Sequence, residues 1–477
     1  MIGRHVRRRR LHFVATIGIA IGAGAARAAP AQTPGEIAAT ARLDAIRSDT
    51  TALLQFLRAM PKGGDLHIHL SGAIRAESWA RWAADDGLCY VTGTSSLAAP
   101  PCNGAGRIPA AQLVGDSTLL AQAIDAWSMR HWRRESGSGA DHFFATFGKT
   151  AAVGIAHLGD MLAEVTSRAA AQRISYLELM SNPDDGSIAR LAARVGWTSD
   201  FATMRDRLER GGLRDSLRAA ARTLDLAERR QRELLHCDTP MADPGCNVTV
   251  RYIYQVVRSR SAEQVFAQIL AGFELPAVDR RFVSFNLVAP EHGAGAIRDF
   301  DLHMRMIAWL RPSHADVPIT LHAGELSEQV APARAMRSHV RQSVEVAHAS
   351  RIGHGVDVLH EDDAEAVLRE MAARHVLVEI ALTSNDLILG VHGAEHPLSA
   401  YRSHDVPVAL VTDDEGVSLT DLTHEYARAV TDQHLDYPAL KAMARNSIVF
   451  SFADDSTKAR LRSALEDGFA RFEARRE

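Results

Sequence analysis

Once its first residues are set aside, this sequence lacks any surplus of basic side chains. Lys and Arg number 54 against 58 Asp and Glu, a formal charge of −4; residues 1–28 hold six arginines and no acid, which leaves −10 on the remainder. With no cationic excess to meet phosphates, a nucleic acid or an anionic membrane surface is excluded as partner. Also missing is an apolar stretch of transmembrane length. The run Leu11–Ala25 falls short of the roughly 20 residues a span requires. Only four cysteines occur and none forms a C-x-x-C pair, which argues against a four-thiol zinc site. No internal repeat or low-complexity linker divides residues 36–477, so this part reads as a single domain.

The start of the chain has a different character. Arg4 and Arg7 to Arg10 precede the apolar run, and Ala26-Arg27-Ala28 offers the A-x-A of a cleavage site. A basic start, a short apolar core and a small-residue exit predict a signal peptide over residues 1–28, removed on export to the periplasm or the outside. No membrane anchor then remains, and a twin-arginine route stays open. Cys89 and Cys102, and Cys237 and Cys246, flank short stretches rich in Pro, Gly, Asn and Asp. In an oxidising compartment such spacing predicts two local disulfides.

Eight short apolar segments recur between longer amphipathic ones: 65–70, 174–180, 248–254, 282–288, 317–322, 351–354, 376–380 and 406–411. The clearest helical pattern between them runs from Leu213 to Leu235, with apolar residues three and four apart. Strands alternating with helices predict a parallel sheet, and eight such units predict an α/β fold closed as a (β/α)8 TIM barrel. The interval 71–173 holds inserted helices and loops, with aromatic residues from Trp127 to Phe147.

His67 and His69 are two apart on the first predicted strand, so both project from one face and offer half a zinc site. Among 22 histidines such a pair means little alone. Its company gives it weight. His322 closes the fifth strand ahead of Glu325, His354 closes the sixth, and Asp413 and Asp414 follow the eighth. All fall at strand C-termini, the face where barrel enzymes carry their active sites. Taken singly, Asp413-Asp414 also reads as a helix N-cap pair, His354 as a turn histidine and Glu325 as a solvated acid.

Five motifs then stand in order: Met60-Pro-Lys-Gly-Gly-Asp-Leu-His-Ile-His-Leu-Ser-Gly-Ala73, His322-Ala-Gly-Glu325, Arg351-Ile-Gly-His-Gly355, Thr383-Ser-Asn385 and Thr412-Asp-Asp414. In order and spacing they resemble the adenosine deaminase family, most of all its secreted, growth-factor-related branch and bacterial relatives. The resemblance covers nearly all of the chain from about residue 55 and implies hydrolytic deamination of a purine nucleoside, adenosine or deoxyadenosine. It implies one Zn2+ held by His67, His69, His322 and Asp413, which would lower the pKa of a water toward about 7. His354 would orient that water, Glu325 would protonate ring N1, and Asp414 would hold N7. Trp127, Trp132, Phe143, Phe144 and Phe147 resemble the family's apolar lid and equally suit a core. The H-x-E and P-C-x-x-C zinc site of other nucleobase deaminases is absent.

Three departures bear on the substrate. Ser71 stands where the family has a carboxylate for a ribose hydroxyl. Ala289, in Asn286-Leu-Val-Ala-Pro-Glu291, stands where a glycine amide approaches purine N3. Glu415 replaces a proline. The chemistry set is complete while the substrate-contact set is altered, so a free or modified 6-aminopurine is an alternative substrate. Another barrel amidohydrolase is a second alternative, although Lys149 and Lys441 do not sit at strand ends as a bridging lysine would. A secreted binding or signalling protein with a lapsed site is a third. Oligomeric state is not legible.

Overall fold

The computed structural model describes Met1, Gly3 and residues 32–475. The signal-peptide segment therefore lies outside the described residues. Among those described, no helix is long and apolar enough to cross a membrane.

The described residues form eleven strands: β1 (Gly63–His69), β2 (Cys89–Val91), β3 (Ser96–Ala98), β4 (Arg107–Pro109), β5 (Ile174–Ser181), β6 (Thr249–Val257), β7 (Phe282–Val288), β8 (Thr320–Ala323), β9 (Arg351–His354), β10 (Leu377–Ile380) and β11 (Val408–Leu410). Eight of them match the eight apolar segments, with ends shifted by up to three residues. They form two parallel four-stranded arcs, β1-β5-β6-β7 and β8-β9-β10-β11. Helices cover the outside, so the barrel strands other than β6 are buried along nearly their whole length and read as apolar runs rather than alternating ones.

The arcs meet at two seams, and both are made by residues of the candidate site. At one, the Asp413 amide donates to the His67 carbonyl at 2.9 Å and the His69 amide donates to the Asp413 carbonyl at 3.0 Å. This parallel bridge ties β1 to the end of β11. At the other, the Asn286 side-chain oxygen on β7 accepts from the His322 amide on β8 at 2.7 Å, and Ser284 Oγ donates to the Pro318 carbonyl at 2.9 Å. The sheet thus closes as a (β/α)8 barrel.

Helix Leu213–Leu234 fits its sequence pattern to within one residue, burying Leu213, Leu217, Ala220, Leu224 and Ala227 on one stripe. The interval between β1 and β5 holds more than helices. β2, β3 and β4 form a small antiparallel sheet that periodicity did not reveal, since strands of three residues are too short to show it. Cys89 pairs with Cys102 across this sheet, and Cys237 pairs with Cys246 ahead of β6.

Candidate active site

At the C-terminal mouth of the barrel four side chains converge. His67 Nε2 lies 3.1 Å from His322 Nε2, and His69 Nε2 lies 3.2 Å from the same atom. Asp413 Oδ1 is 3.5 Å from His67 Nε2 and 3.4 Å from His69 Nε2. A tetrahedral zinc with bonds near 2.0–2.2 Å sets its ligand atoms about 3.3 Å apart, which is this spacing. All four residues are buried. Asp413 Oδ1, His354 Nε2 and Asp414 Oδ1 have no hydrogen-bond partner among the described residues, although each is buried. Buried polar atoms are normally satisfied, so these orphaned atoms fit a metal-binding cluster. The electrostatics agree. Burial by itself would strip the proton from His67, yet the carboxylates of Asp413 and Glu379 beside it outweigh that and push its pKa up to about 10.

The supporting contacts sort the histidines into two kinds. His67 Nδ1 donates to Glu379 Oε2 at 2.6 Å, His69 Nδ1 to Gln255 Oε1 at 2.9 Å, and His322 Nδ1 to Asn286 Oδ1 at 2.8 Å. A proton fixed on Nδ1 leaves the Nε2 lone pair free for a metal. His354 is the opposite case. The Leu398 amide donates to His396 Nδ1 at 3.2 Å, so the neutral His396 ring carries its proton on Nε2 and donates to Asn385 Oδ1 at 3.1 Å. The Asn385 amide nitrogen, 2.9 Å from His354 Nδ1, is then the donor. His354 Nδ1 accepts, and its proton sits on the unpartnered Nε2. His354 lies within ligand range of His67, His322 and Asp413, and this tautomer turns an N–H rather than a lone pair toward them.

The neighbours Asp413 and Asp414 differ in charge: the histidines around Asp413 hold its carboxyl well below its usual range, while Asp414 and Glu325 are raised. Burial and the nearby carboxylates of Asp413 and Glu291 raise Glu325 well above its usual range, so it holds its proton. Glu325 Oε1 lies 3.8 Å from His354 Nε2. Burial and Asp413 raise Asp414 in the same way. The surface-acid reading of Glu325 is corrected here, since it is only 4% exposed. Asp414 occupies the N-cap position of the short helix Glu415–Ser418, yet its side chain makes no capping bond. Its carboxyl packs instead on Gly72, where a Cβ would lie 1.5 Å from Asp414 Oδ1.

A cavity of about 360 Å³ opens on these groups, lined by His69, His322, Glu325, Asp413 and Asp414 on one side. Phe143, Phe144 and Phe147, from helix Gly139–Thr150, cover it, together with Ser71 and Ala289. Ala289 has φ +77°, a conformation glycine adopts freely and alanine adopts at a cost. His354 and Asp413 are also at positive φ, +69° and +61°, and such backbone strain clusters at functional sites. Glu415 points away from the cavity. It accepts from Arg168 Nη2 at 2.8 Å and from Gln172 Nε2 at 3.1 Å, so its replacement of a proline does not alter the cavity lining.

Several residues of the site escaped sequence reasoning. Glu379 is a carboxylate inside an otherwise apolar strand, a signal that was available. Thr383-Ser-Asn385 stood out as a motif, but its role needed coordinates: Ser384 Oγ donates to Asp413 Oδ2 at 2.6 Å, and Asn385 sets the His354 tautomer. Gln255 falls one residue past the predicted strand end. Nothing in its neighbourhood marks it.

A (β/α)8 barrel with a His/Asp metal-binding cluster at the mouth of its strands is the architecture of a metal-dependent hydrolase. Within that class the chain belongs to the adenosine deaminase family, whose family model, described as adenosine deaminase, matches residues 138–468. An adenosine deaminase of Clostridium perfringens is 26% identical over 214 residues, 45% of this chain. The chain spans 59% of that relative's length. Among solved structures, the N6-methyl-AMP deaminase of Arabidopsis thaliana is similar at TM-score 0.56 and 19% identity, covering 87% of this chain and 98% of its own. An amidohydrolase of Burkholderia ambifaria with bound zinc is similar at TM-score 0.57 and 18% identity, covering 88% and 93%. These likenesses carry the fold.

Proposed function

We propose that this protein hydrolyses the exocyclic amine of a 6-aminopurine nucleoside, with adenosine and deoxyadenosine as first candidates, to give the 6-oxo purine and ammonia. One observation carries the reading. A four-residue cluster of zinc dimensions opens through His69, His322 and Asp413 on the same cavity as Glu325, a buried carboxyl raised well above its usual range. His67, His69, His322 and Asp413 would hold one zinc, with Glu379, Gln255, Asn286 and Ser384 fixing their orientation. Bound there, zinc supplies Lewis acidity that brings the pKa of a water toward about 7.

The protein's own groups do the rest. Glu325 gives its proton to ring N1, which makes C6 electrophilic. His354 offers its Nε2 proton to the attacking water and fixes its line of approach to C6. Asp414 keeps the proton that lets its carboxyl donate to N7. The phenylalanines of helix Gly139–Thr150 exclude bulk water, strengthening every polar contact beneath them. Among the described residues no Lys or Arg lines the cavity. A phosphate would find no counter-charge, which favours a nucleoside over a nucleotide such as the one for which the Arabidopsis neighbour is named. The basic start, the A-x-A site and the two disulfides support work outside the cytoplasm, and N-terminal sequencing of the natural product checks this.

The test is a panel of 6-aminopurines: adenine, adenosine, deoxyadenosine and AMP, followed by ultraviolet absorbance and ammonia release alongside metal analysis. About one zinc per chain is expected, with nucleosides preferred to the base and to AMP. Undiminished turnover by protein stripped of metal overturns the reading.

A further inference from the structure

Beside the cavity that holds the chemistry lies a second, of about 250 Å³, and Ser71, Phe147 and Gln255 line both. The second chamber is walled by Trp79, Trp127, Ile155, Leu158, Met161 and Met180. Among the described residues no charged or histidine side chain lines it. The one polar atom of the Trp127 side chain is already satisfied, donating to the Ser95 carbonyl at 2.6 Å. Thr146, Thr150, Ser181 and Asn182 add a few neutral polar groups, but the wall is mainly apolar and holds no counter-charge for a phosphate.

Which part of a substrate reaches it follows from the roles proposed above, on which this inference rests. With C6 at the metal cluster, N1 at Glu325 and N7 at Asp414, the five-membered ring lies on the Asp414 side. Asp414 packs against Gly72, the neighbour of Ser71. N9 belongs to that same ring, so its substituent leaves the first cavity past Ser71, at the wall the two chambers share. A carboxylate at this position would meet a sugar hydroxyl there. Ser71 is smaller and uncharged, and leaves the passage open.

We propose that the second chamber receives a small apolar group on the 5′ carbon of the sugar, so that the preferred substrate is a 5′-deoxy-5′-alkylthio or 5′-alkyl 6-aminopurine nucleoside. The zinc-loaded enzyme is assayed on adenosine, 5′-deoxyadenosine, 5′-deoxy-5′-(methylthio)adenosine and AMP. Relative kcat/KM should rise from adenosine to the methylthio compound by at least about tenfold, the scale on which an apolar pocket discriminates an added apolar group, and AMP should be worst. Two variants locate the effect. Ala151→Trp, at an exposed position on the chamber's rim, narrows it and should remove the methylthio preference while adenosine turnover stays unchanged. Ile155→Asn makes the wall polar without narrowing it and should lower the same ratio. Adenosine preferred by the wild type, or a ratio that neither variant moves, overturns this proposal alone. Failure to deaminate every 6-aminopurine overturns the deaminase reading, and this proposal with it.

Discussion

At the scale of single residues, position and protonation are set by separate neighbours, so acid and metal are experimentally separable. Glu325 is held through its backbone: Glu291 Oε2 accepts from the Glu325 amide at 2.9 Å and Oε1 from the Gly324 amide at 3.2 Å. Its side chain is kept neutral by burial and by nearby negative charge. Glu325→Gln preserves shape but has no proton of suitable acidity to give. The expected result is a kcat lower by at least about 10² to 10⁴-fold, the usual worth of a positioned acid. Zinc content and binding of a ground-state purine analogue should stay unchanged, because only the transition state needs the proton. Loss of zinc in that variant, read by metal analysis, would make Glu325 a ligand or a support instead. Asn385→Asp tests His354. A carboxylate there accepts from Nδ1, moves the proton off Nε2 and turns a bare lone pair on the water. Turnover should fall by about 10²-fold or more with zinc retained; near-normal turnover would show that the tautomer does not matter.

At the scale of elements, the barrel strands were legible because most are buried on both faces and so form largely apolar segments between polar stretches. The small β2-β3-β4 sheet was not, and the reason is its length. Its order comes from pairing and from the Cys89–Cys102 bond, which closes a sequence separation of 13. Cys237–Cys246 closes a separation of 9. Restricting the unfolded chain over loops of this size stabilises by about 3 kcal/mol each in the loop-entropy account. Replacing both members of either pair by serine should therefore lower the unfolding midpoint measured in urea. For Cys89 and Cys102, increased proteolysis should be confined to the segment around β2 to β4, with zinc content intact. Zinc loss from that variant would mean that the insertion supports the metal cluster.

At the scale of the whole molecule, the site is also where the barrel closes, so stability and function share groups. Glu291 is fully buried against His339, 2.6 Å away, and near Arg258. Burial alone would raise its pKa, but the His339 hydrogen bond and the Arg258 charge outweigh it and lower it from 4.5 to about 2. A carboxyl with a depressed folded-state pKa stabilises above its unfolded value and loses that contribution as pH falls through the folded one. Glu291 therefore contributes fully above pH 4.5, on the order of 3 kcal/mol, and progressively less toward pH 2. Glu291→Gln should lower the thermal midpoint at pH 7, and the gap to wild type should narrow as the pH falls below 4.5. A gap independent of pH would show that the residue acts by shape alone.

The sequence by itself determined the fold class, the eight barrel strands, both disulfide pairs and the chemistry-bearing groups at the centre of the site, though not the residues that support them. Those features follow from local pattern: apolar segments of strand length, cysteines facing across short loops, and chemistry-bearing residues at strand C-termini. Tertiary structure alone decided what each group can do. His67, His69, His322 and His354 are equivalent letters until their Nδ1 partners are known, and those partners, Glu379, Gln255 and Asn286 on other strands and Asn385 on a helix, come from elsewhere in the chain. The second chamber is likewise invisible in sequence. It arises where the inserted helices between β1 and β5 pack over the barrel mouth, and a cavity is a property of surfaces brought together from distant parts of the chain.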